Sequence, residues 1–156
     1  MAIIKPNNNT ISAITALPAS ITTGKVLQVV TNTVQSVAIN SGSTYIDVLS
    51  TSITPSSASN KILVSFTNNQ SIYGAANQQI DYKILRDSTT IESGTAIHWR
   101  EDGSGYQAGA AGLSQTILDS PSTTSQVTYK VQMNENSSQE GTATNNHLTL
   151  MEISAW

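Results

Sequence analysis

Along most of this chain, apolar and polar residues alternate with a period of two. In Gln126-Val127-Thr128-Tyr129-Lys130-Val131-Gln132-Met133, the residues Val127, Tyr129, Val131 and Met133 share one face, while Thr128, Lys130 and Gln132 share the other. Successive side chains of a strand point to opposite sides, so this segment predicts a strand with one buried face. Residues 61–67 repeat the pattern with Ile62, Val64 and Phe66 inward, and Ile80, Tyr82 and Ile84 do the same ahead of Arg86. Further strands are predicted over residues 25–34, 44–49, 90–99, 112–118 and 147–154, which brings the number to about eight. Asp87 and Ser88 stand between the apolar runs around Ile84-Leu85 and Ile91. Their short polar side chains can satisfy turn amides, and a hairpin is predicted there. No window of about 11 residues carries a helical stripe. The expected fold is all-β, an antiparallel β-sandwich of jelly-roll type.

Residues 1–23 read differently. Their apolar residues are separated by Asn, Thr and Pro, and Pro6 and Pro18 favour extended or turn geometry at the residues before them. We expect an extended N-terminal arm over 1–23 and a β-sandwich domain over 24–156. Ile3, Ile4, Pro6, Ile11, Ile14 and Leu17 would make the arm's contacts with a protein partner. Two long loops are also predicted, 100–111 with Gly103, Gly105 and Gly109, and 134–146, polar almost throughout. Trp99, Arg100, Glu101, Asp102 and Tyr106 gather at the first, a ligand loop suited to protein or to host-surface glycan.

Composition sharpens this picture. Only 11% of the residues are charged, against roughly 25% in an average soluble domain, so Ser, Thr, Asn and Gln carry the burden of solubility. Ser and Asn compete with helical backbone bonds, while Thr, Val and Ile suit a pleated surface. The net charge is −3 and the seven Lys and Arg are scattered singly, which argues against nucleic acid as a partner. Without cysteine there is no disulfide and no thiolate metal site. Apolar runs such as Ile62-Leu63-Val64 are too short to span a bilayer, and Met1 to Pro6 lack the basic and apolar regions of a signal peptide. One Phe, two Trp and five Tyr make a lean aromatic inventory. A core so provisioned would gain from sharing a face with another copy, and a homo-oligomer is expected.

Chemistry is sparse. His98, near the end of a predicted strand, and His147, at the start of the last one, are the two histidines, and no G-x-S-x-G elbow occurs. Glu101-Asp102-Gly103 lacks the carboxylate ladder that wraps calcium, and Gly109-Ala110-Ala111-Gly112 is not followed by the Lys-Ser/Thr of a phosphate cradle. Asp47, Asp81, Glu92, Asp119, Glu135, Glu140 and Glu152 would hydrolyse a glycan only if two of them met across a groove. We expect no enzyme, no catalytic residue, no metal and no cofactor.

Several stretches resemble a family of virion structural proteins of marine tailed phages, such as those of cyanobacteria. They include Ile11-Ser12-Ala13-Ile14-Thr15-Ala16-Leu17-Pro18, leading to Gly24-Lys25-Val26-Leu27-Gln28-Val29, and Ile53-Thr54-Pro55-Ser56-Ser57-Ala58-Ser59-Asn60-Lys61-Ile62-Leu63-Val64. Leu85-Arg86-Asp87-Ser88, Leu118-Asp119-Ser120-Pro121, Thr128-Tyr129-Lys130-Val131-Gln132 and Leu148-Thr149-Leu150-Met151-Glu152-Ile153 complete the set, in the family's order. The resemblance implies a compact β-sandwich, often trimeric, serving as a capsid decoration or head-fibre protein or as the distal domain of a tail fibre. It transfers no catalytic residues. No long repetitive shaft precedes the β domain, which favours a cement protein on the outer surface of the head, bound to the major capsid protein, over a receptor-binding adhesin of the tail.

Overall fold

A computed structural model describes residues 24–39, 42, 44–74, 78–99, 107–136 and 140–155 of the chain. It contains eight strands: β1 (Val26–Ala38), β2 (Ile46–Ile53), β3 (Lys61–Gly74), β4 (Gln78–Arg86), β5 (Thr89–Trp99), β6 (Gln107–Asp119), β7 (Val127–Glu135) and β8 (Glu140–Ile153). They form two four-stranded sheets, ordered β1-β8-β3-β6 and β2-β7-β4-β5, with every pairing antiparallel. Consecutive strands alternate between the sheets except at the β4–β5 hairpin. This is the strand order of a jelly roll, an antiparallel β-sandwich as the period-two pattern predicts.

The inner faces supply the core. Ile62, Val64 and Phe66 of β3, Ile80, Tyr82 and Ile84 of β4, and Val127, Tyr129, Val131 and Met133 of β7 are all buried, as the alternation requires. The lean aromatic inventory does not starve this core. β-Branched isoleucines at 39, 53, 62, 72, 80 and 84 fill it around Tyr129 and Phe66, each stabilising by roughly 1.5–3 kcal/mol on full burial.

Several strands outrun the sequence pattern. β3, expected to end at 67, continues to Gly74; β8, expected to begin at 147, begins at Glu140; and β6 begins at Gln107. The cause is pairing: the second half of β3 is flanked on both sides, with Ile72 opposite Gly109 and Gly141, and Asn69 opposite Gly112 and Thr144. Ladder hydrogen bonds from two neighbours override weak local β-propensity. The expected loops 100–111 and 134–146 therefore contract to connections bounded by Trp99 and Gln107 and by Asn136 and Glu140. His147 lies inside β8 instead of opening it.

The predicted hairpin at Asp87 is present, with a different bonding pattern. Asp87 sits in the left-handed region (φ 53°). Its amide donates to the Thr128 carbonyl at 2.7 Å and its carboxylate accepts the Thr128 amide at 2.9 Å, so it tethers the turn to β7.

The strand directions define two poles. β1 begins and β8 ends at the first, which also carries the β2–β3, β4–β5 and β6–β7 connections; the β1–β2, β3–β4, β5–β6 and β7–β8 connections lie at the second. At about 3.3 Å per residue, strands of 13 or 14 residues separate the poles by roughly 40 Å.

Candidate interaction surfaces

At the first pole the chain entering β1 is fixed to the chain leaving β8. Ser154 donates its amide to the Lys25 carbonyl at 2.9 Å, and the Lys25 amide donates to Ser154 Oγ at 3.0 Å. Beside them Glu152, fully buried, accepts four hydrogen bonds: from Gln28 Nε2 (2.6 Å), the Ser56 amide (2.7 Å), Ser56 Oγ (2.8 Å) and Asn60 Nδ2 (2.6 Å). Burial alone would raise its pKa, but these donors, Asn60 first, outweigh burial and hold it at about 2. The clamp joins β1, β8 and the β2–β3 connection. Across β3, Asp119 accepts both contacts from Arg86 Nη1 at 2.8 Å and the Tyr129 hydroxyl at 2.7 Å, tying β6 to β4 and β7 in the other sheet. Burial, then the hydrogen bond and charge of Asp119, push the Tyr129 phenol far upward, so it remains a donor.

Towards the second pole the inward positions turn from aliphatic to amide. Gln70 donates to Asn68 Oδ1, Asn68 Nδ2 donates to Asn146 Oδ1 at 3.1 Å, and Asn146 Nδ2 donates to the Val34 and Ala143 carbonyls at 3.0 and 3.1 Å. Three buried amide atoms, Gln70 Oε1, Gln78 Nε2 and Asn134 Oδ1, have no hydrogen-bond partner among the described residues. Packing is tight here: a Cβ added at Gly141 would lie 3.0 Å from Ile39 Cγ1 and 3.2 Å from Glu135 Cβ, so a larger residue would require these side chains to shift.

Of the expected ligand loop, Trp99 closes β5 at this pole, and Arg100, Glu101, Asp102 and Tyr106 lie outside the described residues. The arm residues Ile3, Ile4, Pro6, Ile11, Ile14 and Leu17 lie outside them too. The amide relay and the Glu152 clamp were not anticipated as sites. Both carry a signal in the sequence, because Glu152 is in phase with buried Leu148 and Leu150, and Asn68 and Gln70 are in phase with Phe66 and Ile72.

The outer faces of the two sheets differ. On β2-β7-β4-β5, Asp47 pairs with Lys130 at 2.8 Å, and the hydrogen bonds of Lys130 and then Gln132 lower its pKa. Lys83 Nζ stands 3.8 Å over the Tyr45 ring, and Asp81 accepts Gln79 Nε2 at 2.6 Å and Thr95 Oγ1 at 2.7 Å. On β1-β8-β3-β6 the register aligns Val29, Met151, Leu63 and Leu118 in one apolar row across all four strands. Thr31, Thr149, Ser65 and Thr116 make the next row, and Thr33, His147, Thr67 and Ser114 the one after it.

Glu152 and Asp119 flank Ile62 on neighbouring strands, but each is occupied by its own donors, and Glu152 is held too acidic to lend a proton near neutral pH. Among the described residues no group of three or more His, Asp or Glu is placed to hold a metal ion, and no helix is long and apolar enough to cross a membrane.

No family model matches the sequence, and no curated protein matches it. Among solved structures, the chain is similar to infectious bursal disease virus of the Gt strain (14% identity, TM-score 0.47) and of the Gx strain (11%, 0.49). It is also similar to the VP2 subviral particle of that virus (12%, 0.47). Each likeness covers 80% of this chain and 32% of the other, so the chain spans about a third of the length of the solved chains it matches. The jelly-roll assignment rests on the strand order itself.

Proposed function

We propose that the chain is a virion structural protein, a decoration or cement protein that binds the head shell through residues 1–23 and exposes its sandwich. The observation that carries this reading is polarity. The chain leaves residues 1–23 at the first pole, where Lys25 and Ser154 are bonded, while the connections at 75–77, 100–106 and 137–139 belong to the opposite pole. The start of β1 and the strand ends that bound those connections lie roughly 40 Å apart, which would let one end hold a shell while the other faces outward. The resemblance to phage virion proteins agrees with this, and implies the major capsid protein as the partner. Each large apolar side chain of the arm that is fully buried would contribute roughly 1.5–3 kcal/mol, multiplied over a repeating lattice by effective concentration.

Deleting residues 1–23 is expected to leave a folded sandwich that no longer joins particles, read by sedimentation of particles with added protein. A truncated chain that decorates shells like the full one defeats the proposal. The gathering of four connections at the second pole favours a second reading, a tail-borne adhesin for host-surface glycan or protein. Copy number separates the two: hundreds per virion for the head, a few tens or fewer for the tail.

A further inference from the structure

We infer that the outer face of the β1-β8-β3-β6 sheet is the surface through which copies of this chain meet. The face is free of Asp, Glu, Lys and Arg from the apolar row at Leu63 to the row at Ser71, in a chain whose net charge is −3. It begins with large apolar side chains left in water, Val29 56% and Leu118 55% exposed, on the two edge strands of the sheet. Its hydroxyls are scarcely used among themselves: Thr149 Oγ1 reaches Thr31 Oγ1 at 3.4 Å, and Thr144 Oγ1 reaches the Asn69 carbonyl at 3.4 Å.

These properties select the occupant. A contact between two identical patches requires each patch to complement itself. Threonine and serine hydroxyls meet that requirement, since each donates or accepts as its rotor turns, and apolar side chains meet it without any direction. The other outer face does not, because its Asp47, Lys83 and Asp81 charges would meet like charges unless register separated them. A charged partner finds nothing to pair with on the neutral face. A glycan finds no aromatic platform there either, since from Leu63 to Ser71 the face carries no Tyr, Trp or Phe.

Size agrees. Four strands at about 4.8 Å and nine residues at about 3.4 Å give a patch of roughly 600 Å² per copy, or about 1,200 Å² for two, the lower end of stable specific interfaces. An axis in the interface parallel to the strands lays β1 of one copy on β6 of the next and β8 on β3. Val29 then faces Leu118, Met151 faces Leu63, and the hydroxyl rows match in turn. The same axis keeps the residue-24 ends of both copies at one pole, so both arms would reach the same underlying surface. The interface stands on the sheet face alone and does not require the proposed particle binding.

The test is the mass of the full chain in solution at micromolar concentration, by sedimentation or light scattering. Because a two-fold contact closes on two copies, the native chain is expected at twice 16.5 kDa. The double substitution Val29→Lys with Leu118→Lys, at exposed positions that leave the core untouched, is expected to give single chains, weakening association on the order of 100-fold or more. Lys130→Glu, on the opposite face, is expected to keep the native mass, and circular dichroism checks that each variant retains its β-signature. A native chain that is monomeric or trimeric, or a double variant that keeps the native mass, overturns the inference.

Discussion

The two poles of the sandwich solve the same problem, burying polar side chains between the sheets, with opposite success. At the first pole Glu152 collects four donors and Asp119 collects Arg86 and Tyr129. At the second, Gln70, Asn68 and Asn146 pass hydrogen bonds along a relay that leaves Gln70 Oε1 without a partner among the described residues. The difference is chemical. An ionised carboxylate is acceptor-only and can gather several charge-assisted bonds, whereas a neutral amide spends a donor for each acceptor and leaves a loose end. Each unpaired buried atom costs about 1–3 kcal/mol. Among the described residues the first pole is therefore the better satisfied of the two, and it is expected to be the firmer.

The sharpest way to break this contrast is Glu152→Ala, which strands the Gln28, Ser56 and Asn60 donors; we expect a loss of about 3–4 kcal/mol in urea unfolding. Next is Arg86→Ala, which leaves the nearly buried Asp119 with Tyr129 alone, expected to cost about 2–3 kcal/mol by the same measurement. Acid titration sharpens the comparison. Because the folded pKa of Glu152 is about 2, below its ordinary 4.5, its stabilisation is present above about pH 4.5 and lost as pH falls towards 2. That amounts to on the order of 2–3 kcal/mol, and it should vanish from the pH profile of Glu152→Gln. The smallest effect is expected at the other pole. Gln70→Leu removes one unpaired acceptor while freeing Asn68 Oδ1, and its urea midpoint should imply a change within about 1 kcal/mol of zero. A large loss there would mean that the relay, not the carboxylate clamp, secures the sandwich.

Most of the strands were legible because one face of each meets the core. Val127 to Met133 and Ile62 to Phe66 alternate so cleanly that only a half-buried strand accommodates them. Legibility failed where strands carry Gly, Asn or Gln, as in Gly109 to Gly112 and Gly141 to Asn146. Those residues hold β-structure because β3 lies between them and offers a ladder to each side, a contact between distant parts of the chain that local pattern does not express. The clamp was half legible. Phase placed Glu152 inward, but its donors come from residues 92 to 124 positions away.

By itself, the sequence determined the fold class, the hairpin at Asp87 and which residues of the strongest strands turn inward, since alternation with a period of two is a local property of neighbouring residues. Tertiary structure alone decided the strand order, the two poles and the row of Val29, Met151, Leu63 and Leu118, whose members belong to four separate strands. A pattern along one strand says which way a side chain points; only the register between strands says what stands beside it.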